Sequence, residues 1–356
     1  MAKKELNEVF LLRGVASLMV CLFHLTLGNE ALFPPTHPLE QIFSYGYLGV
    51  EVFFILSGYV ICYSLPAGFN YSDLRSFFLK RLTRIEPPYL VSIVLVLLLN
   101  YMSSAVTGMT YQTNFLALIG HLAYINNFYP QTYVNVVYWT LGIEAQFYLF
   151  IALVFPLVRA SRPFLMFTAA SLLFLACIPI PSNISVILPY LAYFTLGILL
   201  FFFKVKRQLP VAIFISLAFL SCLQIQIFQG TPGTVAAILS VTILLFWKHV
   251  NKTIRFFSTI SYSLYLIHVP VGGKVINLGI RFVSNELSKY LLLLLGLAVS
   301  IGFAYLFYRF VELPAFRLSK RIKYSSEKSP TPVMRFNEPI TEKETKPTAP
   351  LPNGYH

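Results

Sequence analysis

A chain of 356 residues that is 57% hydrophobic and 12% charged, with a mean hydropathy of +0.70, has too little polar surface to cover a soluble globule. Its formal net charge of +13 is spread over short connections between apolar runs, as membrane topology demands, and so does not mark a nucleic-acid partner. The runs are continuous, which excludes the alternating short segments of an outer-membrane barrel. An all-α, polytopic integral membrane protein follows.

Ten runs of about 17–22 residues, each able to cross roughly 30 Å of hydrocarbon, are predicted near 9–27, 47–65, 88–105, 142–160, 163–181, 187–203, 210–228, 232–247, 259–280 and 289–311. Lys3 and Lys4 precede the first. With an inner N-terminus, inner connections carry Arg75, Lys80, Arg81 and Arg84, then Arg159 and Arg162, then Lys204, Lys206 and Arg207. Lys248, Lys252 and Arg255 come next, and Arg317, Lys320, Arg321 and Lys323 follow the last run, while outer connections hold only Arg281 and Lys289. This asymmetry predicts an N-in, C-in topology with about ten transmembrane helices. The segment from Phe115 to Phe128 is too short to span comfortably and is expected to be interfacial or re-entrant on the outer side. The first run is read as a signal anchor. Cys21, Cys62, Cys177 and Cys222 lie in apolar spans without a C-x-x-C pair, so they are expected as small core residues, with neither disulfides nor a metal site. Residues 1–323 form the membrane domain. From 324 to 356 the composition turns to Pro, Thr, Glu and Lys, which predicts a disordered cytoplasmic tail.

Ionisable groups inside spans are expensive, at least about 2.5 kcal/mol for an arginine at mid-helix, so each asks for a reason. In LLRGVASLMVCLFHL, Arg13 and His24 are eleven residues apart, about 16 Å of rise and within roughly 20° of one helix face. Glu51, one turn inside the second span, reaches nearly the depth of His24. Its carboxylate is expected either to orient the imidazole and stabilise its charge, or simply to form a buried polar pair that sets helix register. Arg81 and Arg84 share a helix face at the inner surface, where two guanidinium forks suit a phosphate, and where topology or lipid headgroups explain them as well. Glu144 lies near the outer end of the fourth span, so a second carboxylate is expected at the level of His24, behind Tyr138 and Trp139, which equally suit an interfacial aromatic belt. His268 falls near mid-membrane in the ninth span, and a neutral imidazole bonded to a tyrosine or carbonyl is the plain alternative there. Arg309 and Glu312 read as snorkelling and capping groups.

Five segments in order resemble the acyltransferase-3 family of membrane O-acyltransferases. LRGVASLMVCLFH is similar to its arginine-x10-histidine signature, GYLGVEVFFILSGYVI to its G-V-[DE]-x-F-F-x-x-S-G stretch, and KRLTRIEPPY to its R-x-x-R-[IL]-x-P-x-Y turn. YWTLGIEAQFYLF and ISYSLYLIHVP resemble two further family segments. The likeness covers about residues 5–320. It implies transfer of an acyl group, usually acetyl, from cytoplasmic acyl-CoA to a sugar hydroxyl of a surface glycan such as lipopolysaccharide O-antigen, in the inner membrane of a bacterium. Acetyl-CoA is then a donor substrate rather than a bound cofactor. His24 is expected as base or acyl carrier, with Glu51 and Glu144 as further catalytic groups, and Arg13, Arg81, Arg84, Trp139, Tyr265 and His268 as binding groups. Expected partners are acyl-CoA, a lipid-linked or lipopolysaccharide glycan and the bilayer. Some family members carry an extra periplasmic hydrolase-like domain, whereas this sequence continues only into the tail. A transporter or flippase is the rival class, since intramembrane charges also mark transport pathways. It predicts paired broken helices in two halves, a pattern not found in this sequence.

Overall fold

The computed structural model of the chain describes residues 6–326 apart from 109, 130–132 and 182, and among the described residues it contains helices and no strands. In chain order the α-helices are α1 (Asn7–Leu27), α2 (Pro38–Phe43), α3 (Gly49–Ser64), α4 (Leu74–Thr107), α5 (Phe115–Leu122), α6 (Trp139–Ala160) and α7 (Arg162–Leu175). They continue with α8 (Leu191–Leu200), α9 (Val211–Phe246), α10 (Lys252–His268), α11 (Lys274–Gly279), α12 (Glu286–Phe307) and α13 (Leu313–Ser319). Short 3-10 and π turns join several of them into longer rods. Eight rods are long and apolar enough to cross a membrane: Asn7–Leu27, Pro38–Ser64, Tyr71–Val106, Trp139–Ala160, Leu188–Val205, Val211–Phe246, Lys252–Phe282 and Glu286–Ser319. The chain is thus an all-α polytopic membrane protein. Arg162–Leu175 is apolar but shorter. Its 14 residues rise only about 21 Å.

The seventh and eighth predicted runs both fall within α9, where the backbone folds back on itself. Gly230 has φ 79° and ψ −177°, a conformation that costs a residue without Cβ little. Two cross-contacts show the reversal. Near one end of α9, Phe214 stacks on Phe203 at 4.2 Å, and near its other end the Leu244 carbonyl accepts from Lys204 Nζ, one residue further on from Phe203. Gln229, between them, reaches instead the Pro189 carbonyl at the far end of that rod.

Several cations and the first and last described residues gather at one end of the bundle. Lys204 Nζ pairs with Glu8 at 2.7 Å, and Asn7 donates to the Lys248 carbonyl. At the same end the chain remains docked through the first residues of the expected tail. Tyr324 is buried against Phe69, and Asp73 accepts from Ser325 Oγ (2.6 Å), Ser326 N (3.2 Å) and Ser326 Oγ. Residues from 327 onward, and Lys3 and Lys4, lie outside the described residues.

Helix packing is closest where glycines meet. Gly58 of α3 and Gly197 of α8 sit backbone against backbone, and a Cβ on either would run into a carbonyl of the facing helix, Phe194 or Ile55. Small residues let backbones approach in this way, and the gain is van der Waals contact, because lipid supplies no hydrophobic drive between helices. The segment KRLTRIEPPY is not a turn, as expected, but part of the continuous 34-residue α4, with Pro87 and Pro88 inside it. Proline withholds an N–H donor from a helix. Separately from the carbonyls of Thr83 and Arg84 that the two prolines leave without their helical donor, Tyr262 Oη of α10 donates to the Ile85 carbonyl at 3.1 Å.

The 115–128 region forms only the eight-residue α5 and a 3-10 turn, Ile125–Phe128, too short to span. Its anchor is His121, buried against Tyr89 and Tyr138. The Val134 N–H donates to His121 Nε2 at 3.1 Å, so the ring proton is on Nδ1, which faces Tyr89 Oη at 3.0 Å. Burial pushes the His121 pKa down to about 4. All four cysteines are free; Cys21 and Cys62 are core residues as expected, whereas Cys177 is exposed, past the end of α7.

Candidate active site

α1 and α10 lie side by side and run in the same direction. Arg13 donates to Ser261 Oγ (2.9 and 3.2 Å), and eleven residues later His24 meets His268. His268 Nδ1 lies 2.8 Å from the Leu264 carbonyl, which can only accept, so His268 carries its proton on Nδ1 and presents Nε2 as an acceptor. That Nε2 lies 3.1 Å from His24 Nδ1, whose other neighbour is the Val20 carbonyl at 3.0 Å. Both neighbours of His24 Nδ1 are acceptors, so its proton sits there, and Nε2 is left with its lone pair. Two carbonyls thus determine, through two rings, which nitrogen is basic.

His24 lines a cavity of about 700 Å³, counting the space open to its surroundings, together with Gly28, Asn29, Asn100, Asn135, Lys274 and Asn277. Its wall depends on a helix defect. Pro270, in the π turn Val269–Gly273 that follows α10, cannot donate to the carbonyl one turn earlier, and Asn135 Nδ2 takes that place on Leu266 O at 3.0 Å. Asn29 Nδ2 bonds Asn277 Oδ1 at 2.7 Å across the top of α1 and α11.

A second cavity, of about 950 Å³ counting the space open to its surroundings, lies nearer the cationic end. Arg13, Arg81 and Arg84 line it with Ser57, Glu144, Tyr148, Tyr262 and Tyr265. Arg81 is buried, bonds Ser64 Oγ, and stacks over Phe77 and Tyr148 at 5.5 and 5.7 Å. Arg84 lies over Phe316 at 5.3 Å and makes no hydrogen bond with the described residues. Three guanidinium groups against one carboxylate leave this cavity electropositive, and aromatic faces hold two of the planar forks. Glu144 is already bonded by Ser57 Oγ (3.2 Å) and Tyr148 Oη. Tyr265 closes the cavity on the side nearest His268: its ring lies 6.2 Å from the imidazole, and its hydroxyl is bonded to Thr140 Oγ1 at 2.6 Å.

The structure therefore brings His24 to His268 and sets Arg13, Arg81, Arg84, Glu144 and Tyr265 around the other cavity. Glu51 does not take the expected place beside His24. It is buried on α3, its Oε2 without a hydrogen bond, while the imidazole's partner comes from α10. Glu144 is not at the level of His24 but among the arginines. Trp139 lines neither cavity and packs on Tyr190 at 5.7 Å. Glu312 is no capping group at the surface: it is buried and accepts from Ser263 N (3.2 Å) and Ser263 Oγ (2.6 Å). Asn135 and Lys274 escaped the sequence reading. Asn135 lies in a loop between spans and carries no motif, whereas Lys274 is a cation inside the ninth span, where an intramembrane lysine is itself a signal of function.

The family described as an acyltransferase domain matches residues 6–309, and the chain belongs to that family. It is 35% identical over 146 residues to the putative acetyltransferase ORF330 of Acidianus two-tailed virus, covering 40% of this chain and 39% of the relative. Over 118 residues it is 31% identical to the peptidoglycan O-acetyltransferase OatA of Listeria monocytogenes, covering 29% of this chain and 19% of the relative. Over 160 residues it is 29% identical to the O-acetyltransferase OatA of Staphylococcus aureus, covering 41% and 23%. The matches thus span from about a fifth to two fifths of these relatives' lengths. No solved structure matches.

Proposed function

We propose that this member of the acyltransferase-domain family is an O-acetyltransferase that moves an acetyl group from cytoplasmic acetyl-CoA to a sugar hydroxyl of a bacterial surface glycan, with His24 as the base. One observation carries the reading: His24 Nε2 is held as the unprotonated nitrogen, by the acceptors around the two rings, on a cavity lined with carboxamides. A base within hydrogen-bond reach of a hydroxyl removes its proton as attack begins. Carboxamides offer both donors and acceptors to a polyhydroxyl ligand.

The reaction balances on this chain's own groups. His24 Nε2 takes the hydroxyl proton, the sugar oxygen forms its bond to the thioester carbonyl carbon, and the carbon–sulfur bond breaks. The imidazolium returns the proton to the leaving thiolate. His268 acts as a positioning residue, since its Nε2 accepts from His24 Nδ1–H throughout and keeps the reactive nitrogen turned outward. The charged end of CoA suits the cavity of Arg13, Arg81 and Arg84, because its phosphates match guanidinium forks. The pantetheine arm then approaches His24 past Tyr265. The bacterial inner membrane, with donor and acceptor on opposite faces, and a lipid-linked or lipopolysaccharide acceptor belong to the same proposal.

Purified protein in detergent or nanodiscs, given radiolabelled acetyl-CoA and a glycan acceptor, tests the reading. Label on the glycan that disappears in His24→Ala, with CoA binding retained, supports it. Normal transfer by His24→Ala overturns it. Acid-quenched samples separate direct transfer, in which label never remains on the protein, from relay through an acyl-imidazole.

A further inference from the structure

The cavity beside His24 has a chemical bias that acetyl transfer to a sugar does not by itself require. Among the described residues its polar side chains are those of His24, four asparagines and Lys274, without a carboxylate. The Lys274 side chain makes no hydrogen bond or ion pair with the described residues. An ammonium on a membrane-spanning rod is costly unless something negative answers it. No described residue of the cavity lining carries a negative charge that does so.

The amides, by contrast, are largely engaged. Asn29 and Asn277 bond each other, and Asn135 is committed to the Leu266 carbonyl. The cavity is therefore a held, neutral, hydrogen-bonding wall with a single cation on it. Lys274 and His24 line the same cavity from different helices, α11 and α1. A ligand bridging the two has its hydroxyl at His24 Nε2 and an anionic group at Lys274.

We propose that the acceptor is an acidic glycan, and that Lys274 pairs with an anionic group on it, a sugar carboxylate or a phosphate of the glycan's lipid linkage. This rests on the transfer reading of His24. An acidic sugar supplies the missing counter-charge, so Lys274 selects among acceptors and fixes which hydroxyl faces Nε2. A neutral glycan binding there leaves the ammonium unanswered, and the loss falls on the specificity ratio.

The test measures kcat/KM for acetyl transfer to three acceptors: an oligosaccharide ending in a uronic acid, its carboxyl-reduced neutral counterpart, and that neutral glycan on a phosphate-linked lipid. Wild-type protein is expected to favour at least one anionic acceptor over the neutral one by about tenfold or more. Which one is favoured identifies carboxylate or phosphate. Lys274→Gln should bring the ratio toward one and Lys274→Arg should keep it, with thermal unfolding of both variants followed to exclude misfolding. Equal use of acidic and neutral acceptors by wild-type protein, or an unchanged ratio in a folded Lys274→Gln, overturns the inference and assigns Lys274 to the bilayer surface, while the transfer reading stands. Absence of transfer to all three acceptors, alongside intact CoA binding, fails the transfer reading and the inference with it.

Discussion

His268 Nε2 and His24 Nδ1 are 3.1 Å apart, and each ring also rests on the carbonyl one turn earlier in its own helix. The pair behaves as one device in which α10 decides the basic nitrogen on α1. Replacing His268 by Leu should lower kcat by about tenfold or more with KM little changed, because a loosened base costs orientation rather than binding. His268→Gln, whose amide oxygen still accepts from Nδ1–H, should keep more activity than His268→Leu. Equal losses in the two variants would reduce His268 to a packing residue.

Removing His24 itself should cost at least about 10²–10⁴-fold in transfer rate, the usual contribution of a positioned base. Binding of CoA to His24→Ala, measured by calorimetry in detergent, should stay close to that of the wild type, because the arginines line the other cavity.

Arg81 and Arg84 face one cavity and are steadied by Phe77, Tyr148 and Phe316. The double change to Gln should raise the dissociation constant for CoA about 10–100-fold, in keeping with charge-assisted bonds to phosphate. Affinity in the wild type should also fall as salt rises, and that salt dependence should flatten in the variant. Unaltered CoA affinity would return both residues to topology.

The Gly58–Gly197 contact leaves no room for a side chain. Gly58→Leu should force α3 and α8 apart at a cost of about 1–3 kcal/mol, typical of overpacking. A lowered unfolding temperature in detergent would register it. Gly273, where an added Cβ meets nothing, is the natural control.

His121 makes stability depend on pH. Its folded pKa, near 4, lies below the 6.5 of an unburied imidazole. Between those values the unfolded chain binds the extra proton and the folded one does not, so stability is full above about pH 6.5 and declines as pH falls toward 4. Protonation would also set an N–H on Nε2 against the Val134 N–H. Unfolding temperatures followed from pH 7.5 to 4.5 should drop less steeply in His121→Asn than in the wild type.

Position along a single helix was legible in the sequence, and relative depth between helices and neighbourhood were not. The 1.5 Å rise per residue places Arg13 and His24 at opposite ends of one stripe, and the structure sends them to the two cavities as that spacing implies. Nine of the ten apolar runs fall within the eight long rods, the fifth forms only the shorter Arg162–Leu175, and the 115–128 segment is not among the rods. Sequence periodicity, however, says nothing about which helix stands beside which. The sequence placed Glu51 at nearly the depth of His24 and His268 near mid-membrane, yet the parallel packing of α1 against α10 brings His268 to the imidazole. The same packing put Glu144 among arginines and buried Glu312 against Ser263. Composition and rise are properties of one helix at a time, whereas azimuth and partner depend on close contacts such as Gly58 on Gly197, and those exist only once the helices have met.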